Sequence, residues 1–370
     1  MDNMNYRGRL VKLRQKLLDN PFDTIWIIQP ENRRYFSGFK AEDTQLNESS
    51  GSLLINENHC LLLTDSRYSS EAEIEAPDFE IAIITHDLID ELPDLLKRIG
   101  THKLGFEEEY ITWSTYQRLT NKLAGLAMPL ELIPFHSISE KLRALKDEME
   151  IKAMEKSAGM ISAILDEIII KLKPGIREKD VAWQIENLAY EAGADSLAFS
   201  SIIASGPNSA LPHAVPTERV LKANEPILLD VGVKLNGYCS DMTRTIFLGE
   251  PDQHFNLIYK IVRKAQLAAL NIIRSGIKSD QPDTVAREII KEAGFDKYFG
   301  HALGHGVGLA THESPRLGPK KPIILKKGMI VTVEPGIYIQ GKGGVRLEEM
   351  VLIEQSGSKI LTKANHFYEL

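Results

Sequence analysis

The chain has 370 residues and a formal net charge of −7, and no run of Lys/Arg longer than two offsets that acidic balance, which argues against a nucleic-acid partner. With 43% hydrophobic and 26% charged residues, the composition is that of a globular protein and not of a disordered one. Its two cysteines, Cys60 and Cys239, lie far apart without CxxC spacing, excluding a disulfide framework or zinc ribbon. The apolar runs are too short for a secretory h-region or a bilayer span, so a cytoplasmic protein with no membrane partner is expected.

Leu10, Leu13, Leu17 and Leu18 recur at helical spacing between Tyr6 and Asp19, and Asn20-Pro21 ends the pattern, predicting a first helix. A strand at Thr24–Ile28, a hairpin of Ser52–Ile55 with His59–Leu63, a strand at Phe79–Ile84 and helices near Leu88–Arg98 and Trp113–Leu123 follow. Strands alternating with helices over about 135 residues predict an α/β domain. Within it, Asn32–Phe39 reads as a solvated loop whose Arg33 and Arg34 could meet an anion. A long charged helix is expected from Glu140 to Leu172, stopped by Pro174-Gly175. This puts a boundary near 136–140 and divides the chain into 1–137 and 138–370. Further helices are expected at Glu178–Ala192, Asp252–Arg274 and Thr284–Ala293, interleaved with two hairpins.

The first hairpin, ILLDVGVKLNGYCSDMTRTIF, turns at Asn236-Gly237, a strong signal for a two-residue turn. Counting outward pairs Leu235 with Tyr238, Gly232 with Asp241 and Asp230 with Thr243. Asp230 and Asp241 then share a face as diagonal neighbours roughly 7–8 Å apart at the backbone. Two buried aspartates repel unless a cation or proton joins them. The second hairpin, Met329–Ile353, carries Glu334 and Glu348, which share a face only if its loop has an odd number of residues. Gly341-Lys342-Gly343 meets that condition and sets Gly336 opposite Glu348 and Tyr338 opposite Arg346. Two hairpins with two acids each suggest a pseudo-twofold arrangement around one site.

Between the hairpins stands His305, flanked by glycines, with His312 downstream and His213 just ahead of the first hairpin. Asp230, Asp241, His305, Glu334 and Glu348 form an oxygen-rich set with one nitrogen. That set suits two divalent ions, manganese foremost, with cobalt or zinc as alternatives.

In the settings LLDVG, SDMTRT, GHGVGL, TVEPG and VRLEE, these five residues resemble, in order, the ligands of the pita-bread metallopeptidases: prolidase, aminopeptidase P and the more distant methionine aminopeptidases. The N-terminal stretch, RLVKLRQKLL followed by PENRRYFSGF, resembles the creatinase-type domain that methionine aminopeptidases lack. The resemblance implies an α/β N-terminal domain followed by an α+β pita-bread catalytic domain. It matches His213 and His312 to two non-ligand histidines of the active site, and Arg346 to an arginine beside the last glutamate ligand. The implied substrate is a short peptide with proline second, cleaved before that proline, by a dipeptidase or an aminopeptidase, and the implied assembly is a homodimer.

The expected chemistry is attack by a hydroxide generated between two metal ions, with Glu334 relaying the proton, His312 donating to the oxyanion and His213 holding substrate or assisting proton transfer. Thr243 and Thr332 read either as strand formers or as groups that orient carboxylates. The alternatives are a non-catalytic peptide-binding module or a creatinase-like hydrolase on the same fold. Both would show lost ligand residues, and none is lost.

Overall fold

The computed structural model describes residues 4–43, 45, 48–126, 128–364 and 367. The chain divides into two compact units, Met1–Arg143 and Ala144–Leu370. Among the described residues no helix is long and apolar enough to cross a membrane.

The first unit contains helices α1 (Tyr6–Leu18), α2 (Pro30–Ser37), α3 (Ser69–Glu75), α4 (Leu88–Arg98), α5 (Trp113–Gly125) and α6 (Ile138–Arg143). Its strands are β1 (Thr24–Ile27), β2 (Ser52–Ile55), β3 (Cys60–Thr64), β4 (Glu80–Ile83), β5 (Lys103–Glu107) and β6 (Glu131–Phe135), in sheet order β4-β3-β2-β1-β5-β6. Only β2 runs against its neighbours, as the predicted hairpin requires; the other pairs are parallel. A cavity of about 310 Å³ opens at the carboxyl ends of these strands, lined by Trp26, Thr64, Tyr110 and Arg118 among others, and by none of the candidate site residues.

The expected solvated loop at 32–39 is instead largely helix α2. Pro30 supplies the first-turn φ, Gly38 ends the helix at φ 87°, and the Glu107 carboxylate accepts from the amides of Ile28 and Gln29 at 2.6 and 2.7 Å. Arg33 is fully buried, paired with Asp43 at 3.1 Å and donating to the Gly51 carbonyl. The tertiary partners that fix this helix lie far along the chain, out of reach of local sequence pattern.

The second unit opens on α7 (Glu148–Lys171) and α8 (Glu178–Glu191), then β7 (Ser196–Leu197), β8 (Ile202–Ser205), β9 (Pro226–Val231), β10 (Val233–Leu235), β11 (Tyr238–Cys239) and β12 (Met242–Phe247). Helices α9 (Gln253–Ile272) and α10 (Gln281–Glu292) follow. The chain closes with β13 (Gly304–Gly306), β14 (Glu313–Leu317), β15 (Ile330–Val333), β16 (Gly336–Ile339), β17 (Gly343–Arg346), β18 (Glu349–Ile353) and β19 (Ser358–Ile360). The single helix expected from Glu140 is two, α6 and α7. Asp147 caps α7 by accepting from Met149 N and Glu150 N, while Glu150 Oε2 accepts from Asp147 N in return. This reciprocal cap stops any helix from running through it.

The layout repeats. Ile161, Leu165 and Ile168 of α7, with Val181 and Ile185 of α8, pack on Leu229 and Val231 of the first ladder. Val262 and Ala265 of α9, with Ala286 and Ile290 of α10, pack on Val331, Val333 and Val351 of the second. Burying one such Val, Leu or Ile side chain stabilises by about 1.5–3 kcal/mol, so each helix pair holds a ladder as a rigid plate. The α/β unit and the α+β unit built around two ladders are the fold classes expected.

Candidate metal centre

In the first ladder Asn236 (φ 52°) and Gly237 (φ 83°) adopt the positive-φ pair of a two-residue turn, and Leu235 pairs with Tyr238 as counted from sequence. Farther out β9 and β12 pair Asp230 with Thr243 and Val231 with Met242. Gly232 sits where the backbones crowd: a Cβ there would lie 2.1 Å from the Ser240 carbonyl oxygen. Asp230 and Asp241 are both buried.

The second hairpin keeps the predicted parity but not the predicted register. Gly336 pairs with Arg346 and Tyr338 with Gly344, while Val333 pairs with Glu349 in the adjoining β15/β18 ladder. Counting inward from both sides places Glu334 opposite Glu348. The reason is the turn. Lys342 N donates to the Ile339 carbonyl at 2.9 Å, closing the loop over Gln340-Gly341-Lys342, so Gly343 joins the strand instead of the loop. A side chain at Gly343 would press on Phe255, Pro226 and the Gly206 carbonyl at 2.9–3.0 Å.

His305 is carried on β13 beside β15, where Gly304 lets the strands close: a Cβ there would lie 2.0 Å from the Thr332 carbonyl oxygen. His305 Nδ1 lies 3.0 Å from the Gly306 carbonyl and so carries the proton donated to it, leaving the Nε2 lone pair to face the acids. That Nε2 is 3.4 Å from Glu334 Oε1 and 3.7 Å from Asp241 Oδ2. One ligand atom from each of Asp241, His305 and Glu348 lies within 4.8 Å of the other two. Asp230 joins from the side, one oxygen paired with Arg346 Nη2. Two buried carboxylate oxygens, Asp230 Oδ1 and Glu348 Oε1, have no hydrogen-bond partner among the described residues. Orphaned carboxylate oxygens in a cluster of acids with one histidine fit a divalent cation, which satisfies them without a proton.

Thr243 Oγ1 donates to Glu348 Oε2 at 2.7 Å, and Thr332 Oγ1 donates to Glu334 Oε1 at 3.2 Å. Both threonines therefore aim carboxylates as well as building strands. His312 lies at the rim, its ring 4.2 Å from that of His305 between centroids. His213 is exposed on the segment after the Gly206–Ala210 turn.

Residues 152–355 match the model "Metallopeptidase family M24", and residues 9–145 match "Creatinase/Prolidase N-terminal domain". The chain belongs to metallopeptidase family M24. A curated relative, the Xaa-Pro dipeptidase of Pyrococcus furiosus, is 35% identical over 96% of this chain and 98% of its own length. Among solved structures, the Xaa-Pro dipeptidase from Bacillus anthracis aligns with a TM-score of 0.90 at 37% identity, covering 97% of this chain and 98% of that one. The X-Pro aminopeptidase from Thermotoga maritima aligns with a TM-score of 0.84 at 34% identity, covering 96% and 97%.

Electrostatics in this M24 site follow from crowding. Burial, then the charges of Glu348, Asp230 and Glu334, push the Asp241 carboxyl well above its ordinary range. Burial, then Glu334 and Asp230, does the same to Glu348. Glu334 is raised by burial as well, against the pull of His301 and Arg346. Loss of solvent lowers His305 and, with the neighbouring His305 and His213, lowers His312, so both rings are neutral at neutral pH. Burial works against the charge on Arg346, but Tyr338, Asp230 and Glu334 outweigh it and keep the guanidinium protonated.

Sequence reading missed two members of this network, His301 and Tyr338. Arg346 Nη1 donates to the Tyr338 hydroxyl at 2.9 Å, and that hydroxyl lies 3.0 Å from His301 Nε2. His301 Nδ1 lies 2.8 Å from the Ala302 carbonyl and so carries the proton, leaving Tyr338 to donate its own to Nε2. The available signal was the pair His301 and His305 four residues apart in a glycine-rich stretch. For Tyr338, alternation along β16 was the clue.

Proposed function

We propose that this chain hydrolyses the bond between an N-terminal residue and a following proline in short peptides, using two divalent ions held by Asp230, Asp241, His305, Glu334 and Glu348. The observation that carries the reading is the convergence of Asp241, His305 and Glu348 within 4.8 Å beside two orphaned carboxylate oxygens. Support also comes from the names of the relatives above, one a dipeptidase and another an aminopeptidase acting at X-Pro bonds.

Bound divalent ions supply Lewis acidity and a water of lowered pKa. Glu334 accepts the proton of the attacking water at a carboxylate oxygen and passes it to the leaving proline nitrogen. His312, neutral at the rim, donates its ring N–H to the oxygen of the attacked carbonyl as charge develops there. Arg346 holds Asp230 from one side while its Nε donates to Thr243 Oγ1 at 3.1 Å, and Thr243 in turn holds Glu348. His213 steadies the substrate. The scissile Xaa-Pro bond is a tertiary amide without N–H, so the site has no donor on that nitrogen to satisfy.

Manganese, with cobalt or zinc as alternatives, suits a donor set rich in oxygen with one imidazole. A homodimeric, cytoplasmic enzyme is part of the same reading. The test is a mass-spectrometric time course with Mn²⁺, Ala-Pro and Ala-Pro-Ala, against a chelated control. Alanine release from the dipeptide alone makes the enzyme a dipeptidase, and release from the tripeptide makes it an aminopeptidase. If neither is cut with any divalent metal, the reading fails and a peptide-binding role replaces it.

A further inference from the structure

We propose that Glu178 is a positioning residue for His213, gripping both stems of the segment 206–217 that carries it. The proposal rests on the reading of His213 as part of the active site. Glu178 opens α8 and is fully buried. Its Oε1 accepts from Ser205 N at 2.7 Å, Ser205 Oγ at 2.8 Å and Asn208 Nδ2 at 3.1 Å. Its Oε2 accepts from Thr217 N at 3.0 Å and Thr217 Oγ1 at 2.6 Å. Ser205 ends β8 ahead of His213, and Thr217 lies beyond it. One carboxylate therefore ties the entry of the segment to its exit.

The role calls for a side chain with two acceptor oxygens. The donors number five and come from both sides, while a glutamine has a single acceptor oxygen and would turn its own N–H groups toward one stem. An alanine would leave the buried amide and hydroxyl of Ser205 without this partner and would release Thr217 at the exit. The middle of the segment is tied to the second ladder: Gly344 N donates to Ser209 Oγ at 2.8 Å, and Arg346 Nη1 donates to the Pro212 carbonyl at 3.1 Å. His213 follows Pro212 directly. Gly206, at φ 49°, completes the entry, where a Cβ would lie 2.4 Å from Glu225 Oε2. The segment is thus held at both ends by Glu178 and at its centre by the arginine that holds Asp230.

The experiment combines a double-mutant cycle with hydrogen exchange on the full chain. His213→Ala, Glu178→Ala and the double variant are assayed on Ala-Pro with Mn²⁺, and amide exchange over 205–217 is followed by mass spectrometry without substrate. If Glu178 acts through His213, Glu178→Ala lowers kcat/KM at least about 10-fold, the double variant is no worse than His213→Ala, and bound manganese is unchanged. Exchange over 205–217 accelerates about 10-fold or more while the β9/β12 ladder stays protected. Losses that multiply, or exchange that is unaltered or accelerates everywhere, overturn the proposal. Should Glu178→Ala fail to fold, Thr217→Val, which removes the hydroxyl bond and keeps the amide bond at the exit stem, gives the same pattern at smaller amplitude. The exchange result stands whether or not the wild-type chain cleaves Xaa-Pro bonds, so failure of the activity reading is recognised separately by an inactive wild type.

Discussion

Glu107 in the first unit and Glu348 in the second are both buried glutamates, yet their surroundings are opposite. Glu107 accepts from two backbone amides and from Asn32 Nδ2, all at 2.6–2.7 Å, and has one acidic neighbour, Glu140, acting on it. Among the described residues Glu348 accepts from Thr243 alone and leaves Oε1 without a partner, and it lies among the charges of Glu334 and Asp230. A buried acid with a full set of donors is an element of architecture. One left short of donors among other acids calls for a cation, and that contrast separates the candidate site from the rest of the protein's buried charge.

The contrast breaks most visibly at the clustered acids. Asp241→Asn is expected to lower Ala-Pro turnover by about 10³-fold or more, because it removes a ligand the other acids cannot replace; a variant with near-normal turnover would place the chemistry elsewhere. His312→Ala should retain bound metal while kcat falls about 10²-fold, and metal loss in that variant would refute its role as a rim donor. Chelation should lower the melting temperature, with re-addition of Mn²⁺ restoring it in proportion to ligand excess; a melting curve indifferent to chelator would deny that the acids need a cation.

A pH effect sharpens the other side of the comparison. Burial, against its hydrogen bonds, raises the Glu107 carboxyl from 4.5 to about 7. A raised folded pKa means the folded state holds its proton longer than the unfolded chain does. The stability this group contributes is therefore complete below pH 4.5 and is lost as pH rises through about 7. Denaturant unfolding from pH 4.5 to 7 should show a fall on the order of 3 kcal/mol that Glu107→Gln flattens. An unchanged slope in the variant would show that the proton is not held there.

The site was more legible in the sequence than the scaffold that carries it. The first hairpin could be counted residue by residue because Asn236-Gly237 fixes its turn, and Asp230 pairs with Thr243 as counted. The second slipped by two residues because its glycine-rich stretch offers several odd-numbered loops, and the turn closed by Lys342 N on the Ile339 carbonyl brings Gly343 into the strand, where a Cβ would lie 2.9 Å from Phe255 and Pro226. Helix α2 had local signals in Pro30 and Gly38, but the carboxylate that caps it, Glu107, lies far along the chain on β5. The break before α7 had a local signal, Asp147 followed by Glu150, which the charged helical pattern on both sides concealed. In the Arg346–Tyr338–His301 chain, counting the second hairpin already set Tyr338 beside Arg346, whereas His301 is brought to them by folding alone.

The most direct test of the account is the manganese retained per chain after equilibration with Mn²⁺ and gel filtration, measured for the wild type and Glu348→Gln side by side. About two ions per wild-type chain and a marked loss in the variant are expected if the five residues share a two-metal centre. A wild-type chain that retains none, or a variant that retains as much as the wild type, would contradict it.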